Sequence, residues 1–150
     1  GKYAETLLEL AKAGGYPFYI SVGYLFYGAF VAMTNAEEGI GLIREGYKIL
    51  QGNTELDVVS MHSVYGLLLN TVYLENGRFD ELKDSLPKII EKSIQVKEVC
   101  YLSELYLLEG RSYQATGDRA KADIAFDEAC QIAREIGAEH AREMIRKFRM

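Results

Sequence analysis

The chain has 150 residues, 49% hydrophobic and 26% charged, a balance that excludes a disordered polypeptide and suits a folded single domain. A formal net charge of −5 argues against nucleic acid as the main partner, because gripping phosphates takes a concentrated Lys/Arg surface. Two cysteines without a CxxC, no Asn-x-Ser/Thr acceptor and no signal-peptide pattern favour a reducing, cytoplasmic location.

Helical periodicity runs almost throughout, and strand-like alternation is missing. Breaks fall at Gly14-Gly15-Tyr16-Pro17, Thr34-Asn35, Gly52-Asn53-Thr54, Asn76-Gly77, around Gln95–Lys97, at Gly117-Asp118 and at Gly137. They divide the chain into eight predicted helices over 2–13, 17–33, 36–51, 57–76, 79–94, 98–116, 119–136 and 139–149. Gly at a helix end suits a left-handed cap, while Asn35 and Asp118 can cap the helix that follows. Connections this short make successive helices antiparallel neighbours. In the fifth helix Pro87 removes a hydrogen bond and predicts a kink. The opening Gly1-Lys2, without Met, reads as part of a longer protein.

From Lys12 to Glu37 there is no charged residue, which raises a membrane span as a rival reading. Pro17 leaves a short helix, however, and the run carries Ser21, Thr34 and the tyrosines Tyr16, Tyr19, Tyr24 and Tyr27. No Lys/Arg cluster closes it. It is read as a helix sandwiched between neighbours, with no membrane association.

No residue cluster announces catalysis. His62 and His140 sit on well-separated helices, and His140 with Glu143 is too little for a carboxylate metal site. Gly39-x-Gly41-x4-Gly46 is neither preceded by a strand nor followed by Lys-Ser/Thr, so these glycines mark a close helix crossing rather than a phosphate loop. Cys100 and Cys130 would be offset along their hairpin by roughly 9 Å at 1.5 Å per residue, beyond disulfide reach, and read as small core residues. Glu37-Glu38 and Asp127-Glu128 are adjacent pairs that point apart on a helix and read as solvated faces. The last helix sets Arg142, Arg146 and Arg149 on one side and Ala141, Ile145 and Phe148 on another, as a docking cap or a basic contact stripe. No cofactor is expected.

The hairpins repeat. Gly110-x2-Tyr113-x3-Gly117-x4-Ala122-x3-Phe126-x2-Ala129 sets small residues where two helices cross and aromatics beside them. Forty residues earlier Asn70-x2-Tyr73-x3-Gly77-x4-Leu82-x3-Leu86-x2-Ile89 follows the same frame. Gly39 and Gly46, seven apart on one helix face, occupy the second-helix position of a still earlier unit. The Gly110–Ala129 spacing is the tetratricopeptide (TPR) signature, with a period nearer 40 than 34 residues and Arg134 where that repeat carries proline. The chain therefore resembles an all-α, TPR-like antiparallel helical-hairpin solenoid. Its repeats would be about 17–51, 57–94 and 98–136, flanked by helices 2–13 and 139–149, in one domain over 1–150.

The runs Ala36–Gly46, Leu102–Gly110 and Ala125–Arg134, together with Glu5–Pro17, resemble more specifically the C-terminal TPR regions of large bacterial signalling proteins. In these a cyclase or DNA-binding domain precedes an AAA-type ATPase. The resemblance implies a non-catalytic module for contact with a protein, a peptide or neighbouring domains, any enzymatic step residing upstream. The alternative is a structural spacer or self-association solenoid, forming a homo-oligomer. Carried onto this sequence, the concave face of such a stack would be lined by Ser21, Tyr24, Gly28, Val64, Leu67, Thr71, Glu75, Glu104, Leu107, Arg111 and Gln114. That face would hold a peptide or helix, or be filled by adjoining domains. It lacks the Lys/Asn set that grips a C-terminal carboxylate.

Overall fold

A computed structural model describes residues 2–52 and 61–149, and among these the chain is all-α. Eight helices are described: α1 (Lys2–Gly14), α2 (Pro17–Val31), α3 (Ala36–Gly52), α4 (His62–Glu75), α5 (Phe79–Gln95), α6 (Leu102–Ala115), α7 (Arg119–Glu135) and α8 (Glu139–Arg149). The predicted residues 57–60 of the fourth helix lie outside the described residues. The chain divides into two compact units, Gly1–Met61 and His62–Met150.

In the first unit α2 packs against both α1 and α3. Pro17 opens α2, where its missing N–H is not needed and its fixed φ already suits a helix. Leu8 and Ala11 of α1 and Leu25 of α2 are buried. At the α2–α3 crossing Ile43 is fully buried against Gly28, and on either side of it the glycines of α3 let the helices come close. A Cβ on Gly39 would lie 2.5 Å from the Ala32 backbone nitrogen, and one on Gly46 would lie 2.8 Å from the Ser21 carbonyl oxygen. The fully buried Ser21 hydroxyl donates to the Gly46 carbonyl at 2.6 Å, so the polar group at this dry crossing is satisfied. Asn35 caps α3 as expected: its Oδ1 accepts the Glu38 N–H at 3.3 Å while its Nδ2 donates to the Glu38 carboxylate at 3.0 Å.

In the second unit α4 pairs with α5 and α6 with α7, while α6 also packs against α4, α5 and α8. The Gly110–Ala129 frame does what its spacing predicts: Phe126 is buried against Gly110, with Ala122 and Ala129 buried on the same helix. The α4–α5 pair reverses the sizes. Asn70 fills the Gly110 position, fully buried with its Nδ2 donating to the Gly66 carbonyl at 2.8 Å, and Gly66 instead receives Ile89. Leu107, Ala122, Phe126, Ala129, Ala133, Ala141 and Ile145 form the core that ties α8 to α6 and α7.

Four turns use glycine at positive φ, at Gly15, Gly77, Gly117 and Gly137. The α5–α6 turn uses Lys97 at φ 59°. There the Glu98 N–H returns to the Ser93 carbonyl at 2.9 Å, and the Glu98 carboxylate accepts the Ser63 N–H at 2.7 Å and the His62 N–H at 3.4 Å. Glu98 therefore caps α4 from a distance, and α6 begins at Leu102 rather than at 98. Helix α5 continues through the exposed Pro87 to Gln95.

Two expectations about burial need correction. Helix α2 is not covered on all sides: Tyr19 (53% exposed), Phe26 (45%) and Phe30 (47%), with Met33 (80%) in the turn that follows, face solvent on a side that α1 and α3 leave open. Cys100 is exposed in the turn before α6 rather than in the core, and only Cys130 is partly buried; both thiols are free. No helix among the described residues is long and apolar enough to cross a membrane.

Candidate functional site

The residues expected on a concave face fall into two sets. In the first unit Ser21 and Gly28 are buried in the α2–α3 crossing and serve packing. Tyr24 is half-buried, with the Lys12 ammonium 4.6 Å from its ring centroid.

In the second unit the others line the adjoining helices α4 and α6. Val64, Leu67, Thr71 and Glu104 are half-buried. The Thr71 hydroxyl turns inward to the Leu67 carbonyl at 2.7 Å, and the Glu104 carboxylate accepts the Ser103 hydroxyl at 2.6 Å. Glu75 and Arg111 join α4 to α6 through an ion pair of 2.7 Å. The Arg111 guanidinium also lies 4.3 Å from the Phe148 ring centroid, and Gln114 donates to the Phe148 carbonyl at 3.1 Å. Leu107 is only 7% exposed, inside the core with Ala141 and Ile145. At this end the chain's own α8 occupies Leu107, Arg111 and Gln114. The last helix is thus a docked cap, clamped further by Arg149 to Asp127 at 2.6 Å and to Asp123 at 3.6 Å.

The titratable groups are dispersed. His62, at the start of α4, has its pKa lowered by burial, which Glu98 partly opposes and Lys92 reinforces. His140 is exposed on α8. Between α5, α6 and α7 lies a groove of about 340 Å³ lined by Leu82, Leu86, Pro87, Glu109, Tyr113 and Lys121, among others. Burial raises the Glu109 pKa there. Lys121 is drawn toward Asp118, which caps α7 through the Lys121 N–H at 3.2 Å. Nowhere do the described residues gather three metal-ligating His, Cys, Asp or Glu side chains.

The surface that the sequence reading missed is the outer face of α2. Tyr19, Phe26, Phe30 and Met33 are spaced seven, four and three residues apart, so they form one stripe along α2 and its C-terminal turn. Tyr19 is flanked by Tyr16 and Phe18 in edge-to-face contacts, at 6.3 and 5.4 Å between ring centroids. The uncharged run from Lys12 to Glu37 was the available signal. Composition alone does not say which sides of such a helix find cover.

No family model, curated protein or solved structure matches this chain. The site has to be read from its own chemistry.

Proposed function

We propose that the chain is a non-catalytic protein–protein interaction module that meets its partner through the outer face of α2. The observation that carries this reading is the exposed aromatic stripe of Tyr19, Phe26, Phe30 and Met33 inside a stretch with no charged residue. Isolated surface apolar groups are ordinary, but a contiguous aromatic face marks an interaction surface. Tyr, Phe and Met are also the residue types enriched at interface centres. The polar groups of the α4–α6–α8 seam pair with one another, which fits a structural role better than a chemical one.

In its finer form the proposal is a TPR-like segment from the C-terminal region of a bacterial signalling ATPase or cyclase, working in the cytoplasm. Support comes from the Gly110–Ala129 frame and from the packing in the second unit, where α6 meets α4 and α8 as well as its own hairpin mate α7.

A photo-crosslinking side chain at Phe30, with the exposed Lys88 of α5 as the control position, tests the reading in cells of the source organism. Discrete protein adducts from position 30 and none from position 88 are expected. No adduct at position 30 would reject α2 as the contact surface.

A further inference from the structure

The occupant of the α2 face can be narrowed by charge and by area. A partner that brought Lys, Arg, Asp or Glu onto the stripe would bury an ion opposite a surface with no counter-charge between Lys12 and Glu37. The matching surface must itself be uncharged over a comparable length, and the chain carries one. Elsewhere among the described residues exposed apolar side chains stand among charges, as Ile124 does beside Asp123 and Val96 beside Lys97.

Large apolar side chains have on the order of 150–250 Å² each, so Tyr19, Phe26, Phe30 and Met33, each near half exposed or more, present roughly 450 Å². Two such faces would bury about 900 Å², the range of weak, reversible complexes.

The spacing is also self-complementary. Residues 19 and 33 lie seven positions either side of Phe26, and residues 22 and 30 lie four either side. In an antiparallel two-fold pairing centred on Phe26, Tyr19 meets Met33 of the second copy, Val22 meets Phe30, and Phe26 meets its own mate. We propose that α2 forms this two-fold contact with α2 of a second copy of the chain, giving a weak dimer. The proposal rests on the interaction reading above and assigns its partner.

The whole chain is examined by sedimentation equilibrium from about 1 µM to about 1 mM, the span in which a weak complex of this area dissociates. The mass of the native protein is expected to rise from one chain toward two. Phe26→Glu, which sets two carboxylates face to face, is expected to weaken association by about a hundredfold with unchanged helical circular dichroism. A Phe26→Cys variant in a Cys100→Ser background supplies a second readout that needs no buried change. It should form a disulfide-linked dimer at least about tenfold faster than a Lys88→Cys control, since effective concentration at a two-fold axis favours self-coupling. Native protein that stays monomeric at every concentration, or couples no faster at position 26 than at 88, overturns the dimer. In that case an adduct from position 30 to a different protein still upholds the interaction reading, whereas no adduct at all removes both. A dimer that survives Phe26→Glu at full strength overturns the α2 assignment.

Discussion

The α2–α3 and α6–α7 hairpins solve one packing problem with different fillers. In α6–α7 the space at the crossing is filled: Phe126 lies on Gly110, with Ala122 and Ala129 either side. In α2–α3 the same three positions on the second helix are Gly39, Ile43 and Gly46: Ile43 is fully buried against Gly28, and at the two glycines backbone comes close to backbone. The difference shows that a small residue is needed at the crossing while the identity of the filler is negotiable. It also bears on exposure. The second unit spends its aromatic Phe126 inside the hairpin, whereas the first keeps its rings Phe26 and Phe30 on the outside of α2.

The strongest way to break the comparison is to empty the filled crossing. Phe126→Ala removes a ring that is 2% exposed and should destabilise the second unit by about 3–5 kcal/mol. Urea denaturation followed by circular dichroism measures it. A loss below about 1 kcal/mol would mean that the crossing collapses around the void, and that the filler matters less than its neighbours.

Next comes overfilling the crossing in which backbone lies on backbone. Gly39→Ala improves helix propensity by about 1 kcal/mol but drives a methyl into the Ala32 backbone, which cannot rotate away. The net expectation is a loss of about 1–3 kcal/mol, with amide exchange in α2 and α3 rising first. The reciprocal change Ala122→Gly adds no clash and should lose about 1–2 kcal/mol through propensity and one buried methyl. If Gly39→Ala proves neutral or stabilising, the close backbone approach in α2–α3 is wrong.

These crossings were legible in the sequence because a small residue at a fixed spacing has one geometric use. The same holds for the caps at Asn35 and Asp118 and the glycine turns, where local chemistry decides. Features decided by distant groups were not legible. Glu98 reads as a first-turn acid of α6, yet its carboxylate is spent on α4, thirty-five residues away in sequence at Ser63. The start of α6 therefore moves to Leu102 and Cys100 is left in an exposed turn. For α2, hydrophobicity indicated an unusual helix but not which side lacks cover. The candidate concave residues show the same division: Arg111 and Gln114 were placed on the correct helix, but their capture by Phe148 of α8 depends on the last helix folding back.

Turn chemistry gives a smaller test of local against distant control. An L residue at positive φ costs about 1–2 kcal/mol, and glycine relieves this at the expense of about 0.5–1 kcal/mol of chain entropy. Lys97→Gly should therefore stabilise by about 0.5–1 kcal/mol, seen as a higher melting temperature. A loss of stability instead would show that the Lys97 side chain contributes to the Glu98 cap on α4.

The smallest expected effect concerns Glu109, and pH separates it from the rest. Burial in the α5–α6–α7 groove raises its pKa, so the folded protein holds that proton more tightly than the unfolded chain. Its contribution to stability is thus greatest at pH below the ordinary carboxylate range and is lost as pH rises through the raised value. Glu109→Gln carries no titrating group there and keeps a similar shape. At neutral pH the variant should be the more stable of the two, and the advantage should shrink as pH falls through the range where Glu109 protonates. Taking the difference between the two proteins at each pH cancels the opposing titration of His62, whose lowered pKa makes acidification unfavourable. A difference that stays flat from neutral to acidic pH would place the Glu109 carboxylate in water rather than in the groove wall.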